Sequence, residues 1–512
     1  MKKNIYHIIA IGLMTASVVL FTHCNKFDQE PQGEWVDGDQ NGVSGAYEAD
    51  VFTLYAKLRG FSITSGNTAL AIHSFRSEDA EKGSIASDNA GMAAMFDDFN
   101  YIASNGNINS YYKDNLDVVH LANTVLDKIN KADQSTLTDS DKINRGEAHF
   151  FRAFAYFNLV RAFGEVPLIN FRIYKDEDAN KPKVSVDKIY ELIDADLTAA
   201  EAALPRTWSA VYVGRLTWGA ARSLHAKTYM MRSNWQAMYN ASTDVINSGI
   251  YNLTTPYNKL FRESGENAPE SILEVQCTAN ATYPQSSQVG SQFAQVQGVR
   301  GSGQWDLGWG WNCPTQLLAD AFEAGDPRKD ETLLYFAKSE AEANAMQPNA
   351  PYNEKPIAQS NVVNKYYNKK AYTNPALRNT YSKSGHWFNI RLIRYSDVLL
   401  MAAEAANELG NSAQALLYLE QVRARARAGN NAILPEVTTT VQSDLRTAIR
   451  HERRVELAME FDRFYDLVRW GIDVETFHNA GKTAYQIKHR LLPLPQAQID
   501  GSNGVLIQNP DY

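Results

Sequence analysis

Cysteine is almost missing from this chain: its 512 residues include Cys24, Cys277 and Cys313 and no others. Three cysteines exclude a disulfide framework, and without a CxxC pair there is no thiolate site for structural zinc. Cys277 and Cys313 are compatible with one bridge in an oxidising compartment and read first as two buried thiols. A block of basic residues is missing as well. Lys and Arg number 50 against 58 Asp and Glu, for a net charge of −8 and a pI near 5.8. No cluster is dense enough to neutralise a row of phosphates, which argues against a nucleic-acid partner. Long apolar runs are missing beyond residue 21. The one that exists, residues 8–21, makes about 21 Å of helix against roughly 30 Å of bilayer hydrocarbon, too short to span.

Catalytic signatures are missing too. Gly481-Lys482-Thr483 resembles the end of a phosphate loop, but Thr476 stands where its first glycine belongs. His451-Glu452 opens a zinc-protease pattern that ends on Val455 instead of a second histidine. There is no G-x-S-x-G elbow, and the ten histidines are scattered without metal-ligand spacing. These absences point away from an enzyme.

What is present begins at the N-terminus. Met1-Lys2-Lys3 leads into the apolar run and Cys24 closes it, the layout of a bacterial lipoprotein export signal over residues 1–24, with Cys24 as the lipid-bearing first residue of the mature protein. A plain secretory signal is the alternative, because Phe21, Thr22 and His23 lack the usual leucine and small residue before the cysteine. Residues 25–45 are rich in Asp, Glu, Gln, Gly and Pro, with little to bury, and read as a flexible tether. Across the end of this stretch Asp37, Asp39, Asn41 and Glu48 fit the spacing of a calcium loop. The preceding residues cannot make its entering helix, so calcium is a weak candidate and no other cofactor is expected.

Helical periodicity dominates the body, residues 46–512. The clearest helix runs over 141–163, where Phe150, Phe154, Phe157 and Arg161 form one stripe; Gly164 stops it and Pro167 prevents its resumption. Two helix pairs follow, 216–231 with 235–247 and 395–409 with 412–426, each joined by a short polar turn. Alanines sit where paired helices must approach closely, the form of a tetratricopeptide unit, although any helical bundle also tolerates it. Residues 271–276 alternate weakly and are read as a strand. The region 271–385 is otherwise loop-rich, between helix-pair regions of about 46–265 and 390–512.

A series of ordered strings then resembles one family. They are RGEAHFFRAFAYF (145–157) with FGEVP (163–167), GRLTWGAA (214–221), ESILEVQ (270–276), GWGWNCPT (308–315), DPR (326–328), IRLIRYSDVLL (390–400), ERRVELAME (452–460), RFYDLVRWG (463–471), LPLP (492–495) and QNPDY (508–512). Together they resemble the SusD/RagB nutrient-binding outer-membrane lipoproteins of Bacteroidetes. The resemblance implies a mainly α fold, a right-handed scaffold of tetratricopeptide-like helix pairs with long loops and a few short strands. It implies a lipid-anchored protein facing the cell exterior, capping a SusC-like TonB-dependent transporter and passing it oligosaccharides, or in some branches peptides, without altering them. A surface-anchored glycoside hydrolase is the competing reading. One departure stands out: Phe461-Asp462 lies where many relatives have a glycine after the glutamate.

The ligand-binding candidates lie in the loop-rich region and near the N-terminus. Trp305, Trp309 and Trp311 fall within seven residues in a glycine-rich loop beside Asn312, and flat indoles stack on the C–H faces of sugars while amides pair with hydroxyls. Tryptophans plugging the core are the alternative, most of all for Trp309 and Trp311. Arg76, Asp79 and Tyr101 join the set by position in the family, with capping or ion pairing as the alternative for the charged pair. Along 452–469, the i,i+3 spacings of Arg453 with Glu456, Glu460 with Arg463 and Asp466 with Arg469 read as structural ion pairs on one docked helix, and not as a catalytic carboxylate pair.

Overall fold

The computed structural model describes residues 45–89, 91–279, 282, 289–336, 339, 341–342 and 362–512. The export segment, Cys24, most of the tether, and Asp37, Asp39 and Asn41 lie outside the described residues. Helices of seven residues or more are α1 (Glu48–Leu58), α2 (Gly106–Lys131), α3 (Asp139–Phe163), α4 (Val186–Ala203), α5 (Trp218–Met231), α6 (Trp235–Asn247), α7 (Tyr395–Glu408), α8 (Ser412–Arg427), α9 (Gln442–Glu456), α10 (Arg463–Trp470) and α11 (Asp473–Asn479). From α2 to α8 each helix packs on the next, so the expected helix pairs form one continuous array.

Local chemistry sets the boundaries. Thr138 caps α3 by accepting from the Asp141 amide at 3.1 Å, while Asp141 accepts from the Thr138 amide at 3.0 Å. Gly164, at φ 72°, ends the helix in a conformation that glycine adopts without strain. Ala220, Ala221, Ala402, Ala403, Ala405 and Ala406 are buried, which lets α5 and α7 sit against their neighbours with short side chains between them.

Six short strands make three antiparallel ribbons among the described residues. They are β1 (Ala80–Gly83), β2 (Ser271–Val275), β3 (Trp311–Pro314), β4 (Leu333–Tyr335), β5 (Tyr366–Asn368) and β6 (Ile390–Arg394), paired β1 with β3, β2 with β6 and β4 with β5. The β1/β3 register sets Ala80 opposite Pro314 and Gly83 opposite Trp311, joining the two segments singled out in the sequence. Gly83 is required there: a Cβ would lie 2.5 Å from the Gly310 carbonyl oxygen, and its φ is +72°.

Most apolar side chains share one core along the helix array, while the loop-rich region has its own, built from Trp305, Phe336, Tyr367, Tyr372, Cys313 and their neighbours. Cys277 and Cys313 are not bridged.

Residues 452–469 do not form one helix. α9 ends at Glu456, the chain turns through Met459 at φ 65° and Phe461 at φ 76°, and α10 starts at Arg463. Of the three expected local pairs, Asp466 with Arg469 forms at 2.8 Å. Arg453 instead reaches Asp397, Asp462 and Asp466, and Glu460 reaches Arg394 and Lys370. Arg453 and Glu456 share α9, but each is taken by partners from other segments, and the turn carries Glu460 out of the helix before Arg463 opens the next.

Candidate functional site

Four of the predicted ligand residues fall into two buried clusters. In the first, Trp311 packs at 6.3 Å from Phe75, with the Lys82 ammonium 5.4 Å from its ring. Asn312, fully buried, accepts from the Ser74 hydroxyl at 2.6 Å and donates to Gln297 at 2.8 Å. In the second, the Arg76 guanidinium lies 3.8 Å from the centre of the Phe464 ring and donates to the His489 carbonyl at 2.6 Å, which also accepts from the Tyr101 hydroxyl at 3.1 Å. Asp79 is held by Arg454 and Arg463.

Their burial revises the expected contacts. Trp305, the indole expected to face a ligand, is 1 % exposed and edge-on to Phe336 at 4.8 Å, the centre of the second core. Trp311, Asn312, Arg76, Asp79 and Tyr101 are buried likewise and present no surface to a ligand in this structure. Of the three tryptophans, Trp309 alone is half-buried, and its amide is fixed to the Gln295 carbonyl at 2.9 Å. Glu48, the described member of the calcium-loop set, has its carboxylate paired with Arg215.

Two loops at the surface are tied by a different set of contacts. Lys82 donates to the carbonyls of Ile85 at 3.0 Å and Asp88 at 3.1 Å, drawing residues 85–88 back toward β1. Across from it, Arg300 pairs with Asp88 and donates to Ser84, whose hydroxyl donates to Asp88 at 2.6 Å. A bridge joins Arg300 to Asp306, and Asp306 pairs with Lys383. These contacts link residues 84–88, 300–306 and 383 into one rim, with Ile85 and Met92 exposed beside it. A rim of exposed and half-exposed cations and carboxylates with apolar neighbours suits a polyhydroxylated ligand. Arg300, Asp88, Asp306 and Lys383 were not identified from sequence. The signal available was an arginine in the glycine-flanked string Arg300-Gly-Ser-Gly303 beside the tryptophans.

Glu456 and Glu460 are not poised for catalysis. Glu456 is fully buried among Arg394, Arg425 and Arg328. Burial alone pushes its carboxyl pKa up, but those guanidiniums outweigh it and hold the group well below the usual carboxylate range. His73, buried between the Tyr111 and Tyr465 hydroxyls at 2.9 Å each, is held well below its usual pKa, first by burial and then by Arg161 and Arg76. It is therefore a neutral hydrogen-bonding post in the core.

Comparison with known proteins bears on this arrangement along nearly its whole length. A sequence profile described as the SusD family matches residues 269–512, and one described as starch-binding associating with outer membrane matches 56–230. SusD-like protein P2 of Formosa agariphila is 29% identical over 394 residues, covering 73% of this chain and 75% of that protein. SusD-like protein P25 of the same organism is 27% identical over 426 residues, 78% of each. Among solved structures, a laminarin binding SusD-like protein superposes with a TM-score of 0.75 at 27% identity, covering 91% of this chain and 98% of that one. With a mainly helical fold, two family profiles that together span both halves of the body, and relatives matched over most of their lengths, the chain belongs to the SusD family.

Proposed function

We propose that this protein binds oligosaccharides at the outer-membrane surface through the loop rim of residues 84–88 and 300–306, and that it does so without cleaving them. The observation that carries this reading is the likeness, over 91% of the chain, to a SusD-like protein that binds laminarin. The rim adds the chemistry: hydroxyls of a sugar replace water on Arg300, Asp88, Asp306 and Lys383, while Trp309, Ile85 and Met92 offer apolar surface to its C–H faces.

The ligand then passes to a SusC-like TonB-dependent transporter beneath, with Cys24 carrying the lipid that keeps the two together. Transfer requires modest affinity, since a ligand that dissociates slowly blocks delivery. Half-exposed polar groups suit this, because each contact to a sugar displaces water and gains little net free energy.

Electrophoresis of the purified chain through gels containing laminarin, other glucans or none tests the binding, and an assay for new reducing ends tests for cleavage. Retardation by at least one glycan with no new reducing ends is expected. Released reducing ends support the hydrolase reading, and binding confined to peptides supports the peptide branch.

A further inference from the structure

Residues 204–217, which lead from α4 to α5, cross the surface as a strap between α1 and β2. The strap is rigidly tied. The Trp208 indole N–H donates to the Leu216 carbonyl at 2.8 Å. Arg215 donates to both carboxylate oxygens of Glu147, at 3.0 and 2.8 Å, and pairs with Glu48. Its guanidinium lies 4.4 Å from the centre of the Trp208 ring and 5.6 Å from that of Tyr212. Gly214, at φ +92°, presses on β2 so closely that a Cβ would lie 2.3 Å from the Gln276 carboxamide.

A cleft opens on each side of this strap. One, of about 690 Å³, lies toward α1 and is lined by Phe52, Tyr55 and Gln276; the other, of about 740 Å³, lies toward the end of α6 and is lined by Trp208, Thr217, Tyr251 and Asn267. Val213, Gly214 and Arg215 form their shared wall, and Asn267 and Gln276 bond to each other reciprocally at 3.0 and 2.9 Å, fixing an amide pair between the two. Neither cleft shares a residue with the loop rim.

The lining selects a class of ligand. Arg59, Arg206 and Glu274 line the clefts beside Arg215; Arg215 answers two carboxylates, Glu274 accepts from Ser271 and Asn389, and the Arg206 guanidinium lies 3.5 Å from the centre of the Trp218 ring. What remains open to a ligand is half-exposed aromatic surface on Trp208, Tyr212 and Phe52, together with hydroxyls and amides held in place. Flat apolar faces alternating with neutral polar groups match an uncharged sugar chain, whose rings stack and whose hydroxyls both donate and accept.

We propose that the paired clefts flanking residues 211–215 are a second saccharide-binding site, taking an uncharged oligosaccharide laid across the strap. This rests on the glycan-binding reading of the protein and extends it: two sites on one rigid body hold a long glycan at two points, and the second contact then forms at high effective concentration.

Titration calorimetry of the full chain with laminarihexaose, cellohexaose and maltohexaose tests this by stoichiometry. Two molecules per chain are expected for the hexasaccharide that binds, falling to one in Val213→Trp, which fills the divider between the clefts without removing a contact. The double variant Trp208→Ala/Tyr212→Ala should give the same fall, with unchanged circular dichroism showing that it folds. Arg300→Ala should weaken the other molecule's binding severalfold and leave the strap's unchanged. One molecule per chain in the wild type, or two in Val213→Trp, overturns the second site and leaves the rim standing. Failure of all three hexasaccharides to bind the wild-type chain overturns both.

Discussion

Between β6, α8 and α9, Arg394, Arg425 and Arg328 converge on Glu456, and no side chain of the four is more than 5% exposed. On the loop rim, Arg300 and Asp88 form a pair of the same chemical kind with side chains 36% and 27% exposed. Burial separates their roles. Inside, each charge is stripped of water and needs several fixed partners, so the cluster sets where β6, α8 and α9 sit and cannot exchange a partner for a ligand. At the rim, water already competes for each group, so a sugar hydroxyl can replace it at little cost. The comparison teaches that the arginines and carboxylates of this chain sort into frame and binding surface by depth, not by type.

Five substitutions at four positions test that contrast, from the largest effect on stability to the smallest. Glu456→Gln leaves three buried guanidiniums short of an anion and should lower the unfolding free energy in urea by about 4 kcal/mol at pH 7. Because the folded pKa of Glu456 lies below its unfolded value near 4.5, its contribution is complete above that value and is lost as pH falls below it. The gap between wild type and Glu456→Gln should therefore narrow from pH 7 to pH 3. A constant gap would mean that the carboxylate charge is not what stabilises.

Trp305→Ala empties the centre of the loop region's own core and should cost about 3 kcal/mol. Glycan retention should fall with it, because residues 300–306 lose their support. Unchanged stability would instead return Trp305 to the surface as a stacking residue. At Phe461, two variants separate packing from strain. Both lose the ring that packs near His73 and Phe293, but Phe461→Gly also relieves the φ of 76°, so it should be about 1 kcal/mol more stable than Phe461→Ala. Smallest in stability is Arg300→Ala, expected to change it by less than about 1 kcal/mol while weakening glycan retention severalfold. Those two readouts moving together would break the distinction between frame and rim.

Much of the frame was legible because its signals are local. The run of aromatics on α3, its stop at Gly164, the polar turns of the α5/α6 and α7/α8 pairs, and the weak alternation of β2 each reflect a period or a terminator that acts within a few residues. The break between α9 and α10 was not legible, since Val455, Leu457, Phe461 and Phe464 continue a helical stripe straight through it. Met459 and Phe461 take left-handed conformations between residues whose partners lie far away in the chain, Glu460 with Arg394 and Lys370 and Asp462 with Lys227. The site was half legible. The glycine-rich tryptophan string marked the right loops, yet an indole's sequence neighbours do not reveal whether a small satellite core lies beneath it, and Trp305 proved to be that core's centre. The rim pair of Arg300 with Asp88, and the strap that sets Glu48 against Arg215, join residues far apart in the chain, which no spacing rule detects.

The most direct test of the central claim is hydrogen exchange across the full chain with and without a retained glycan such as laminarin. The account predicts slowed exchange over residues 84–88 and 300–306, with α7, α8 and α9 unchanged. A glycan that binds while protecting neither loop would contradict it.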